Sequence, residues 1–171
     1  MDVTISACQT AWGWVGLAAS TTGIVRIILP VGSREGAWAA VQRDWPGASG
    51  GTNSHLAALQ LKLQRYFRGE DVSFQDQALD LQSATAFLAR VWEVVRAIPR
   101  GEVRSYRWVA QQVGSSRGAR AVGRAMAINP FPIVVPCHRV VGQHGELTGF
   151  GGGLEMKHRL LAMEGVHLPA K

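Results

Sequence analysis

Cysteine is scarce: Cys8 and Cys137 are the only two in a chain of 171 residues. They form no CxxC pair and no disulfide framework, so a zinc ribbon and a disulfide-stapled secreted fold are both excluded. No apolar run reaches the roughly 18 residues that suggest a membrane-spanning helix. The opening Met1-Asp-Val-Thr-Ile-Ser has no basic region before an apolar stretch, so no secretory signal is expected. No Gly-Lys-Ser/Thr phosphate loop occurs. These absences point to a cytoplasmic, reducing setting in which a reactive thiol survives, with no membrane partner.

Acidic residues are also few, 12 against 18 basic, and the imbalance is local. Residues 1–80 sum to −1 and residues 81–171 to +7. A basic half is the electrostatic footprint of a polyanion binder. Fifteen of the 18 basic residues are arginine, which suits phosphate recognition. With 47% hydrophobic residues, the chain can fill one ordinary core or two small ones. The expected division is a structural α/β domain over 1–80 and a second domain over 81–171.

In the first part, Val3 to Cys8, Trp12 to Ala19 and Ile24 to Leu29 read as strands of a small antiparallel sheet, the last ended by Pro30. Ser33 caps a short helix. Asn53 or Ser54 caps a longer one with Leu56, Leu59, Leu63 and Phe67 on one face. Cys8 and His55 do not make a metal set. Glu70 to Gln82 is polar without a period and reads as a linker.

The second part is mostly helical. Ser83 is a candidate cap for a helix burying Phe87, Val91, Val94, Val95 and Ile98. Ser105 to Val113 and Ala119 to Ile128, joined by a turn at Gly114 to Gly118, read as a helix-turn-helix. Arg117, Arg120 and Arg124 share one side of the second helix. Ala119, Val122 and Met126 are expected to face the core, with Ala121, Gly123, Ala125 and Ala127 flanking the arginines. A last helix runs from Met156 to Glu164. The fold class is therefore α+β.

The chemistry centres on Asn129-Pro-Phe-Pro-Ile-Val-Val-Pro-Cys-His-Arg-Val-Val141. Ile133, Val134 and Val135 read as a short buried strand, and Pro136 stiffens the approach to Cys137. Arg139, and His138 if protonated, would lower the cysteine pKa toward the reactive thiolate.

Pro136-Cys-His-Arg-Val140 resembles the active-site motif of the O6-alkylguanine-DNA alkyltransferases, the methylated-DNA–protein-cysteine methyltransferases. The similarity runs from Val91-Trp92 and Ser105-Tyr106 through Arg120-Ala-Val-Gly123 to Thr148-Gly149, Lys157 and Glu164-Gly165, in order. It implies direct-reversal repair: one irreversible transfer of the alkyl group from O6-alkylguanine, or O4-alkylthymine, to Cys137. No cofactor and no metal are implied. The partner is double-stranded DNA carrying the lesion, bound by a monomer, with cooperativity along DNA left open.

The resemblance also assigns roles. Glu164 orients His138, and Asn129 ties the helix-turn-helix to the active-site turn. Tyr106 crowds the phosphate and Arg120 fills the place of the extruded nucleotide, from the minor groove. Ser105, Ala119, Ala121, Gly123 and Arg124 complete the DNA contacts. Met126, Pro132, Val140, Phe150, Gly151, Gly152 and Lys157 form the alkylguanine pocket. Phe150 stands where many relatives have tyrosine, so it stacks but cannot donate a hydrogen bond. Cys137 and His138 are neighbours whose side chains diverge on an extended backbone, so a bridging water is expected between them. Three other readings are a lesion sensor without transfer, a transcription regulator, and a Cys-His hydrolase or redox enzyme.

Overall fold

A computed structural model describes residues 1–115 and 118–168. The chain divides into two units, Met1–Ser83 and Ala84–Lys171, and each is described by itself.

The first unit carries a sheet of order β3-β2-β1-β4, built from β1 (Thr4–Thr10), β2 (Gly13–Ala19), β3 (Ile24–Val31) and β4 (Ser49–Gly50). β1, β2 and β3 pair antiparallel, and β4 adds parallel to β1. Helices α1 (Arg34–Gln42) and α2 (Ser54–Phe67) cover it. Ser33 caps α1 by accepting from Gly36 N–H, and Asn53 caps α2 by accepting from Leu56 N–H. Leu56, Leu59, Leu63 and Phe67 are buried, as their spacing predicts. Gly16 has a steric reason: a Cβ there would lie 2.6 Å from the carbonyl oxygen of Ala37, so α1 approaches the sheet only over a glycine.

Two expectations for this unit fail. Pro30 does not end β3, which continues to Val31. β3 is an edge strand and its register against β2 shifts between Trp14 and Gly16, and both features accommodate a residue without an N–H. Residues 70–82 are not a free linker. Ile24 N–H donates to Ala78 O and Asp80 N–H to Ile24 O, adding this segment to the sheet edge. Asp80 is buried and accepts from Ser20 and Thr22, which hold its carboxyl below the ordinary range despite burial. The polar composition that suggested a linker serves this buried network.

The second unit contains α3 (Ala86–Arg96), β5 (Arg104–Ser105), α4 (Tyr106–Gln112), α5 (Gly118–Ala127), a 3-10 turn (Cys137–Arg139), β6 (Val140–Val141) and α6 (Leu154–Met163). Thr85, not Ser83, caps α3 by accepting from Leu88 N–H. Trp92 is buried on α3 and donates its indole N–H to Ala125 O, 3.0 Å away on α5. Its ring meets Phe131 edge-on at 5.7 Å. α4 and α5 form the helix-turn-helix, and β5 pairs parallel with β6. β5 thus joins the start of α4 to the strand that follows the cysteine. Arg117 lies outside the described residues.

Candidate functional site

Ile133–Val135 is a turn and not a strand. Ile133 has φ +75°, a conformation that β-branched residues rarely adopt. Asn129 brackets this turn. Its Oδ1 accepts from Phe131 N–H and its Nδ2 donates to Val135 O, both at 2.9 Å. Val135 N–H donates to Phe131 O, and Cys137 N–H to Val135 O. These bonds fix the chain where the dihedral alone would not, and they hand Cys137 to the 3-10 turn. Cys137 and His138 therefore do not lie on extended backbone. Successive side chains in a 3-10 turn still point apart, because three residues complete each turn.

The Cys137 thiol is buried, and burial pushes its pKa up. Asn129, the Lys157 charge and the N–H groups of Cys137 and His138 favour the thiolate but do not overcome burial. Arg139 does not do what its adjacency suggested. Its Nε and Nη2 donate to the two oxygens of Glu164 at 2.9 and 2.8 Å, and Nη1 donates to Ile98 O. A bidentate guanidinium is committed to its carboxylate.

His138 is fully buried, with Nε2 2.9 and 3.1 Å from the Glu164 oxygens. Burial lowers its pKa more than Glu164 raises it, so the imidazole is neutral near pH 7. An ionised carboxylate only accepts, so Nε2 carries the proton. Nδ1 is then a bare acceptor, and no group among the described residues pairs with it. Glu164 is buried too. Burial alone would raise its pKa, but Arg139 and His138 hold the carboxyl far below its ordinary range.

Lys157 is buried on α6 and donates to Val140 O at 2.7 Å and Thr148 O at 3.1 Å. It also reaches Tyr106 Oη at 3.5 Å. Burial brings its pKa down to about 8. Between that value and the ordinary 10.5 the unfolded chain binds more protons, so stability rises with pH. Urea melts should show a gain of at most about 3 kcal/mol from pH 8 to 10.5. The gain should vanish in Lys157→Met.

A cleft of about 550 Å³ opens beside Tyr106 and Thr148, the residues Lys157 contacts, while Cys137, His138 and Glu164 are not among its lining residues. One wall is Ala119, Arg120, Gly123 and Ala127 of α5, and the other is Thr148, Gly149, Phe150 and Gly151, with Tyr106 also lining it. The volume suits a small organic group such as a base. A Cβ on Gly123, Gly149 or Gly151 would meet nothing within 4 Å, so these positions leave the cleft wide.

Not every expected residue reaches it. Ala121 is buried in the core stripe with Val122, Ala125 and Met126, whereas Ala119 is exposed on the cleft. The helix is rotated from the sequence expectation, so Ala121 lies on the buried side and Ala119 on the cleft rather than in the core. Arg124 is exposed outside the cleft lining. Ser105 caps α4 by accepting from Trp108 N–H. Met126, Pro132 and Val140 are buried and do not line the cleft, and neither does exposed Gly152. Lys157 lies behind the wall and acts through Tyr106 and the loop carbonyl. Ala127, expected to flank the arginines, does line the cleft with Arg120; sequence reasoning missed the Arg139 clamp on Glu164 and the role of Thr148, whose hydroxyl donates to Tyr106 Oη at 2.7 Å.

Residues 86–166 match the model of the 6-O-methylguanine DNA methyltransferase DNA-binding domain. The methylated-DNA–protein-cysteine methyltransferase of Mycolicibacterium paratuberculosis is 52% identical over 109 residues, 64% of this chain and 65% of that one. Its counterpart from Mycobacterium bovis is 47% identical over 125 residues, 73% and 70% of the two chains. The crystal structure of Mycobacterium tuberculosis OGT in complex with DNA superposes with a TM-score of 0.77 at 35% identity, covering 94% of this chain and 92% of that one. The aligned stretch thus spans about two thirds of the curated relatives, and the structural match nearly all of the neighbour. The region holding the helix-turn-helix and Cys137 is a DNA-binding domain. The chain belongs to the methylated-DNA–protein-cysteine methyltransferase family, whose work is DNA repair by alkyl transfer to a protein cysteine.

Proposed function

We propose that this chain removes the alkyl group from O6 of guanine, or from O4 of thymine, in double-stranded DNA and keeps it as a thioether on Cys137. The observation that carries this reading is the buried His138–Glu164–Arg139 array, which leaves His138 Nδ1 an acceptor unpaired among the described residues and next in sequence to the thiol. The thiol is protonated at rest because burial raises its pKa, so attack needs a base. A bridging water carries the proton from Cys137 to Nδ1. Glu164 stabilises the imidazolium that forms.

Sulfur then attacks the alkyl carbon and the carbon–oxygen bond breaks. Its electron pair goes to the base, which takes up a proton matching the one lost by the thiol. The thioether has no leaving group that water can readily displace, so each molecule reacts once. O6 cannot be reached inside a stacked duplex, so the nucleotide is extruded into the cleft. Arg120, exposed on α5 at the cleft wall, takes its place in the minor groove. Tyr106 crowds the adjacent phosphate, and Phe150 stacks on the base. The protein works as a monomer and in the cytoplasm, where a reducing pool protects the thiol. No helix among the described residues is long and apolar enough to cross a membrane.

Cys137→Ala separates transfer from binding. The variant should bind duplex DNA containing O6-methylguanine as the wild type does, yet leave the methyl group in place. Demethylation that persists without the thiol would overturn the proposal, and ester turnover by the wild type would favour a hydrolase.

A further inference from the structure

We propose that Thr148 is a positioning residue: its hydroxyl, together with Lys157, occupies the acceptor side of Tyr106 Oη and turns the phenolic proton into the cleft. Thr148 Oγ1 donates to Tyr106 Oη at 2.7 Å, and Lys157 Nζ approaches the same oxygen at 3.5 Å. Below its pKa of about 8 Lys157 is an ammonium and only donates, so that contact uses acceptor capacity of the phenol and not its proton. Together the two donors occupy the lone-pair directions of Oη and leave the O–H to point elsewhere. Lys157 also donates to Thr148 O, so one side chain fixes both the phenol and the residue that steers it.

Tyr106 carries the one phenol among the residues lining the cleft, opposite a loop whose aromatic, Phe150, has no hydroxyl. A base losing its alkyl group gains negative charge, and a pre-oriented donor stabilises that charge. Burial and Cys137 hold the Tyr106 pKa above its ordinary value, which keeps the proton available to donate.

This inference rests on the alkyl-transfer reading. The test compares Thr148→Val, Thr148→Ser and Tyr106→Phe with wild type in single-turnover reactions on O6-methylguanine duplex, with duplex affinity measured beside the rate. Thr148 is exposed, so its variants leave the core untouched. Thr148→Val should lower the transfer rate about tenfold through misplacement of one donor, with affinity unchanged. Thr148→Ser should restore the rate. In the Tyr106→Phe background the valine substitution should cost nothing more. Were Tyr106 donating to Thr148 instead, the valine variant would release the proton and react as fast or faster, which overturns the proposal. Equal losses with and without the phenol, or failure of serine to rescue, overturn it as well. Loss of the alkyl-transfer reading would look different, because wild type itself would then leave Cys137 unmodified.

Discussion

Glu164→Ala is expected to cost about 3–5 kcal/mol of folding stability, because it strips the partner from two buried groups at once. Arg139 would lose a bidentate carboxylate, and His138 would lose the acceptor that fixes its Nε2 proton. The same array makes the fold acid-sensitive. His138 and Glu164 both have folded pKa values below their unfolded ones, near 6.5 and 4.5 respectively. In each case the unfolded chain binds more protons as pH falls, so stability is full above the unfolded pKa and lost below it. Urea melts should show a decline starting below pH 6.5 and steepening below 4.5. Glu164→Ala should remove the steep lower part. An alanine variant as stable as wild type would mean that the array does not support the fold.

Arg120→Ala is expected to slow repair of O6-methylguanine in duplex DNA by 10- to 100-fold, roughly the few kcal/mol of an extruded base left uncompensated. Reaction with the free O6-alkylguanine base should change little, because no stack has to be opened. Equal losses on both substrates would remove Arg120 from the flipping role and make it a general support of the site.

How legible was this in the sequence? The helices of the second unit were readable because each has a local signal. The apolar period of Val91 and Val95 marks α3, and the turn beginning at Gly114 marks the end of α4. The cysteine's surroundings were less so. Ile133 to Val135 is apolar and β-branched, which is what a strand looks like, yet two side-chain bonds from Asn129 impose a turn. Such bonds span positions that no propensity couples.

Arg139 is the clearer case. Adjacency to Cys137 suggested a thiolate partner, but Glu164, 25 residues further on, takes the guanidinium. Which neighbour a charge finds is settled by tertiary packing, and the sequence spacing is silent on it. The rotation of α5 is a smaller instance. Alanines are ambiguous between core and groove, so Ala119 and Ala121 exchanged places once Val122 and Met126 were packed. Resemblance carried Lys157 and Glu164 into the site where composition alone read them as surface charges, and both are buried.

The central claim is that Cys137 accepts the alkyl group and keeps it. Intact-mass and peptide-mass measurement after mixing the protein with duplex DNA containing a single O6-methylguanine tests it most directly. The account predicts one added methylene, on the Cys137 peptide, at no more than one per chain. An unchanged mass alongside lesion-selective binding would contradict it and make the protein a damage sensor.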